Sequence, residues 1–222
     1  MTGLSNMIHT TLPKVRDFEV SGEGAASAWR RSPWLAMPRV GGRQPYDSRA
    51  KVVYSGKGIY FLVDCTDLRL SCSRRTDFDD IFREDVVEVF LWPDTRQQLY
   101  LEYEISPLDV ELPILVPNHQ GAFHGWLPWH YAGERKTRHA TAMRGGAKKP
   151  GAKIEGWTAE FFIPFALLQG LGNTPPQRGA TWRANICRID YDDAGQPTNW
   201  AWAKDTGTNF HDFRKFGMIE FG

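Results

Sequence analysis

The stretch DVVEVFLWPDTRQQLYLEYEIS, residues 85–106, holds two runs of alternating side chains around a polar turn at Pro93-Asp94. Successive side chains on a strand point to opposite faces, so each run sorts into two sets. In the first, Val87, Val89 and Leu91 form one face, and Val86, Glu88, Phe90 and Trp92 the other. In the second, Leu99, Leu101, Tyr103 and Ile105 oppose Tyr100, Glu102, Glu104 and Ser106. Paired antiparallel, the two runs give one aliphatic face and one face carrying acids among aromatics. On periodicity alone, the acid face reads as the solvated side of a half-exposed antiparallel sheet. The alternative is a ligand surface, with carboxylates beside aromatic plates.

Working outward, the same texture recurs. RAKVVYS and IYFLVDCTD flank a Gly-Lys-Gly turn and read as a hairpin. Downstream, GWTAEFFIP, TWRANICRID, NWAWAK and the terminal FGMIEF read as strands, and TRHATAMR is a fainter one. VELPILVP carries two prolines, which places it at a sheet edge. PFALLQGL (164–171) alone looks helical, with proline suited to a first turn and glycine to a stop. Many short strands without βα alternation predict an all-β, two-sheet antiparallel β-sandwich, with 1–222 as a single domain. Trp157, Phe161, Ile163, Val87, Val89 and Leu91 are the expected core. RGGAKKPGAK (144–153) reads as a solvated loop, and the aromatic stretch 117–134 as a long loop of the kind that often carries function.

Composition narrows the function. The chain has 222 residues with 27 Lys plus Arg against 26 Asp plus Glu, so no net charge favours nucleic acid or an anionic membrane. Lacking an apolar run of about 18 residues or more, the sequence predicts no membrane-spanning helix. The first twenty residues have neither a basic leader nor an apolar run, which reads as cytoplasmic unless a leader was removed. Cys65, Cys72 and Cys187 form no CxxC spacing and read as small buried hydrophobes. Nine tryptophans suit an aromatic core and also supply flat surfaces for ligands. Catalytic signatures such as GxSxG, HExxH, a P-loop or a Rossmann glycine motif are missing from the sequence. Glu102 and Glu104 lie two apart on one face, without the contrasting environments that split an acid from a base.

Taken together and in order, YFLVDCTD, FREDVVEVFLWPD, YLEYEIS, GWTAEFFIPFALL, TWRANICRID and NFHDFRKFGMIEF resemble the family 9 carbohydrate-binding modules, from about Trp29 onward. The resemblance implies a β-sandwich related to the DOMON domains, which bind sugar or haem, and a non-catalytic role. It implies that two aromatics clamp a sugar ring, the matching positions being Phe82, ahead of the acid-bearing strand, and Phe210, in the loop before the last strand. It further implies Glu88 as the acidic ligand and Asn209 in the amide-bearing loop. The family's clamp tryptophans are phenylalanines here, its arginine on the next strand becomes Glu102, and a glutamine near NICRID becomes Cys187. Arg188, or a loop arginine, is then expected to supply the cation. His211 is expected to fix its loop by a hydrogen bond or to reach a ligand hydroxyl, and Phe213 to anchor the loop on the core. Family members can also bind calcium, for which Asp77, Asp79 and Asp80 of the DFDD run are the candidate ligands. The implied partner is a mono- or oligosaccharide, including plant cell-wall fragments of xylan or cellulose, with no nucleic acid and no membrane. Two alternatives stay open: a DOMON-like haem or redox module, with Met143, Met218 and scattered histidines as ligand types, and an interaction domain whose sugar site has decayed.

Overall fold

The computed structural model describes residues 7–119 and 122–222. Its strands are β1 (His9–Leu12), β2 (Leu35–Ala36), β3 (Arg39–Gly41), β4 (Ser48–Tyr54) and β5 (Gly58–Thr66). There follow β6 (Val86–Trp92), β7 (Leu99–Ile105), β8 (Glu111–His119), β9 (Ala122–Phe123) and β10 (Leu127–Pro128). The last five are β11 (Arg138–Arg144), β12 (Gly156–Pro164), β13 (Thr181–Tyr191), β14 (Pro197–Ala201) and β15 (Gly217–Phe221). They form two sheets. One runs β11-β12-β5-β4-β2; the other runs β1-β15-β13-β6-β7-β8-β10, with β14 and β3 extending from β13 and β9 from β8. The pairings are antiparallel except β1 with β15, which is parallel.

The alternation in β6 and β7 does what period 2 requires. Val87, Val89, Leu91, Leu101, Tyr103 and Ile105 face inward, against Phe61 and Val63 of β5 and Trp157, Phe161 and Ile163 of β12, all fully buried. Tyr103 stacks across the gap on Phe161 at 4.9 Å, and Phe161 stacks in turn on Phe61 of the neighbouring strand at 5.2 Å. Burying each such side chain contributes about 1.5–3 kcal/mol, which makes this layer the main glue between the sheets. The β4–β5 hairpin closes where Ser55 N–H donates to the Gly58 carbonyl at 2.8 Å. Glycine is required at 58 because a Cβ there would lie 2.4 Å from the Ile163 carbonyl oxygen.

Residues 165–171 differ from expectation. Instead of a helix they form successive turns, with Leu167 bonded to Pro164, Leu168 to Phe165 and Leu171 to Leu168. Pro164 still belongs to β12, and Phe165, Leu167, Leu168 and Leu171 all enter the core. A helix would have turned one of these apolar groups outward; the turns bury all four. The two prolines of β8 fit its place as the last full strand, paired with β7 on one side and only with two-residue strands on the other.

The outer face of the five-stranded sheet is covered by the N-terminal segment. Glu160 of β12, fully buried, accepts bonds from Ser21 N–H at 2.8 Å, Ser21 Oγ at 2.9 Å, Gly22 N–H at 2.8 Å, Gly24 N–H at 3.3 Å and Trp29 Nε1 at 2.7 Å. One carboxylate thereby pins residues 21–29 to the sheet.

Candidate functional site

On the outer face of the ten-stranded sheet, β6 contributes Glu88 and β7 contributes Glu102 and Glu104. The register sets Glu88 directly opposite Glu104, and Phe90 opposite Glu102, so Glu88 and Glu102 are diagonal neighbours. Carboxylate oxygens of all three lie within 4.8 Å of one another. The expectation of a solvated face is corrected here: the three residues are only 1–3 % exposed. Their face is roofed by a second apolar cluster in which Ile81, Val110, Phe210, Phe213 and Phe216 cover Val86, Phe90, Tyr100 and Cys187.

Burial at close quarters with like groups favours the protonated acids. Burial pushes Glu88 up to about 8. Glu102 rises well above the usual carboxylate range through burial and then through Glu88. Glu104 rises through burial, then through Glu102, Glu88 and Asp80, an effect partly offset by the Phe82 backbone N–H. Among the described residues, Glu102 Oε2 and Glu104 Oε2 are buried without a hydrogen-bond partner.

Two aromatic-bearing segments border this floor. Phe82 sits half-buried on a 3-10 turn, Ile81–Arg83, with its ring edge-on to Trp126 at 6.4 Å. Phe210 is 6 % exposed and packs edge-on against Phe90 at 6.4 Å. Each ring therefore has its own partner, and Phe210 is committed to the roof's apolar cluster. Its neighbour His211 is more open: its ring lies 4.4 Å from that of Phe123, and its Nδ1 is 2.8 Å from the Tyr100 hydroxyl and 3.8 Å from Glu102 Oε2. Burial lowers His211 to about 4, so the imidazole is neutral at physiological pH. Asn209 is exposed at the loop tip, where its carbonyl accepts from Asp212 N–H at 3.0 Å. Phe213 is buried and packs edge-on against Trp92 at 5.1 Å, anchoring the loop.

Arg188 does not join this group. The alternation of β13 places Cys187 opposite Glu88 on the outer face and Arg188 opposite Val87 on the inner one. Its guanidinium is fully buried between the sheets, 3.1 Å from Asp67, 2.8 Å from Asp190, 2.7 Å from the Thr66 carbonyl and 3.1 Å from Ser48 Oγ. It is a bridge across the sandwich, so the expectation that it supplies a ligand-facing cation is corrected. Asp67 and Asp190 also meet Asp85 there, within 4.8 Å. Burial is the leading cause that raises Asp190 to about 7, and the Arg188 charge opposes it.

The acids of the DFDD run are held separately. Asp77 accepts from Glu111 N–H at 3.1 Å, the Asp79 carbonyl accepts from Ile81 N–H at 2.7 Å, and Asp80 pairs with Arg83 at 3.4 Å. Among the described residues, the carboxylate groups that converge are the glutamate trio and the Asp67–Asp85–Asp190 cluster. Glu104, which the strand period of β7 places on the acid face with Glu102, joins the cluster as that period requires. Trp126, within the aromatic stretch 117–134, reaches Phe82 by a loop path that no local pattern encodes.

With this geometry in hand, comparison with known proteins locates the fold. The chain aligns with a protein from Bacteroides uniformis ATCC 8492 that is proposed to bind carbohydrate, at TM-score 0.76 and 15% identity, over 97% of this chain and 100% of that one. It also aligns with a family 9 carbohydrate-binding module from Caldicellulosiruptor kristjanssonii solved with cellotriose, at TM-score 0.66 and 14% identity, over 96% of this chain and 92% of that one. The module solved with glucose gives TM-score 0.67 and 14% identity, over 96% and 95%. Among curated proteins no sequence relative matches. The sequence profile of the carbohydrate family 9 binding domain-like proteins matches residues 20–221, from the wrapping segment through the last strand. The chain belongs to the carbohydrate family 9 binding domain-like family.

Proposed function

We propose that this chain is a non-catalytic domain that holds a mono- or oligosaccharide at the outer face of its ten-stranded sheet. The observation that carries the reading is the meeting, on one face, of convergent glutamates with the half-buried ring of Phe82 and the partly open His211. Sugar C–H groups stack on aromatic faces, while a few convergent polar groups fix the hydroxyls. Glu88 and Glu102 accept from hydroxyls when ionised, and when protonated they also donate. The two walls are Phe82 with Trp126 on one side and the 209–213 loop on the other. In that second wall His211 replaces Phe210 as the group facing the ligand, because the Phe210 ring is committed to the core.

The binding role is favoured over hydrolysis because the three carboxyls share one kind of environment. Glycoside cleavage uses two carboxyls whose surroundings drive their proton affinities apart. The related structures with cellotriose and glucose make cell-wall glucan and xylan fragments the natural first ligands to try. Calorimetric titration with glucose, xylose, cello-oligosaccharides and xylo-oligosaccharides tests the proposal. Saturable heats that Phe82→Ala weakens, with the fold intact by circular dichroism, are expected. Silence across the whole panel would overturn it.

A further inference from the structure

The floor is built of three acids, and the described residues bring no lysine or arginine to it. Among the described residues, no lysine or arginine forms an ion pair with Glu88, Glu102 or Glu104. Arg188 points to the opposite side of its strand, where Asp67 and Asp190 neutralise it. His211 is the charged-type neighbour within reach, 3.8 Å from Glu102, and its ring is already bonded to Tyr100.

A second observation separates this trio from an ordinary acidic patch. Glu102 Oε2 and Glu104 Oε2 are buried acceptors to which no donor among the described residues is bonded. A buried acceptor left unmade costs about 1–3 kcal/mol, and more when charged, so two of them side by side mark a place for an incoming donor.

We propose that Glu88, Glu102 and Glu104 form a receptor for a primary ammonium group, so that the saccharide bound here is an amino sugar. This rests on the saccharide-binding reading above and names its ligand class. The count of groups matches. An ammonium carries three N–H donors, and the trio offers three acceptors: Glu88, which gives up its proton to solvent as the cation enters, and Glu102 and Glu104, which still accept through a carboxyl oxygen while protonated. Charge-assisted N–H···O bonds of about 2.8 Å arranged tetrahedrally around nitrogen put their acceptors about 4.6 Å apart. The observed mutual separation, within 4.8 Å, suits that tripod.

A hard metal ion fits less well. Calcium takes about 6–8 oxygen ligands, whereas the outer-face neighbours of the trio are Val86, Phe90 and Cys187. Phe82, whose N–H faces Glu104, and His211, beside Glu102, are the partly exposed groups at the margin, so a sugar ring seated between them would direct a substituent at the acids.

Calorimetry at neutral pH with glucose, glucosamine, N-acetylglucosamine and calcium chloride separates the cases. Glucosamine should bind at least roughly tenfold more tightly than glucose, as expected for a desolvated charge pair. N-acetylglucosamine, which has lost the charge, should show no such preference. In Glu102→Gln and in Glu104→Gln, checked for folding by circular dichroism, the glucosamine-to-glucose ratio should fall toward one. Equal binding of glucose and glucosamine would overturn the ammonium receptor and leave the saccharide reading standing. No binding of any sugar would overturn both. Calcium binding that Glu102→Gln abolishes, without amine preference, would replace the ammonium by a metal.

Discussion

Replacing Glu88 by glutamine keeps the shape of the side chain and removes its ability to ionise. In the folded protein burial holds this carboxyl near 8, against 4.5 in an exposed chain. Between those values the folded state binds a proton that the unfolded state has released. Wild-type stability must therefore fall as pH rises through this window, by about 1.4 kcal/mol per pH unit for one such group. Glutamine has no proton to lose. From pH 6.5 to 8 the stability of Glu88→Gln relative to wild type should therefore increase by about 1.6 kcal/mol, the slope flattening as the folded-state carboxyl becomes half ionised at the upper end.

The neighbours outside the trio leave this difference intact. His211, held near 4, is neutral across the window, and burial raises Cys187 and Tyr100 far enough to keep both protonated. Glu102 and Glu104 rise for the same reason as Glu88 and belong to the same titrating set, and Asp80 faces Glu104 from the roof. His139, raised to about 10 by Asp109 and Glu111 against the opposing effect of its burial, also costs the wild type stability as pH rises. It lies on the other sheet, contributes equally to the variant and cancels. Urea unfolding at pH 6.5, 7.25 and 8 measures the quantity, with an unchanged denaturant slope confirming that the same surface is exposed. A difference that is flat or shrinks with pH would refute the idea that the trio is held protonated by burial.

Three further outcomes follow from the packing. Leu91→Ala, at a fully buried position facing the five-stranded sheet, should cost about 2–5 kcal/mol; a neutral result would mean that the faces of β6 are inverted. Arg188→Ala leaves Asp67 and Asp190 buried and uncompensated, and should cost about 3–5 kcal/mol while leaving saccharide affinity unchanged. Lost affinity in a stably folded Arg188→Ala would return that residue to the site. Glu160→Ala strips five donors of their acceptor and should cost at least about 1.5–3 kcal/mol, the worth of a single hydrogen bond to a charged group. Limited proteolysis should then cut within 21–29; resistance equal to wild type would show the segment is held by other contacts.

The sequence was most readable where one strand's own period carries the information. Val87, Val89 and Leu91 declare the inner face of β6 by alternation alone, and the structure buries them there. The opposite face was misread because its cover is not local. Ile81 lies just ahead of β6, but Phe210, Phe213 and Phe216 arrive from more than a hundred residues downstream. Acids alternating with apolar groups look the same whether water or a distant loop lies above them. Arg188 failed for want of register: until Cys187 is known to face Glu88, nothing decides which of the two neighbours points outward. At 164–171, apolar content and a leading proline suggested a helix, but a segment that must bury Phe165, Leu167, Leu168 and Leu171 together is better served by turns. The parallel pairing of β1 with β15, His9 against Met218, joins the two ends of the described chain, and no short-range pattern could announce it.

Binding of a saccharide over the glutamate trio, between Phe82 and the 209–213 loop, is tested most directly by amide chemical-shift mapping of the isotopically labelled protein during titration with cellotriose and with glucosamine. Saturable shifts are expected at Phe82, Glu88, Glu102, Glu104, Trp126 and His211, larger with glucosamine than with cellotriose at the three glutamates. Shifts concentrated elsewhere, such as around Trp34 on the other sheet, or none at all, would contradict it.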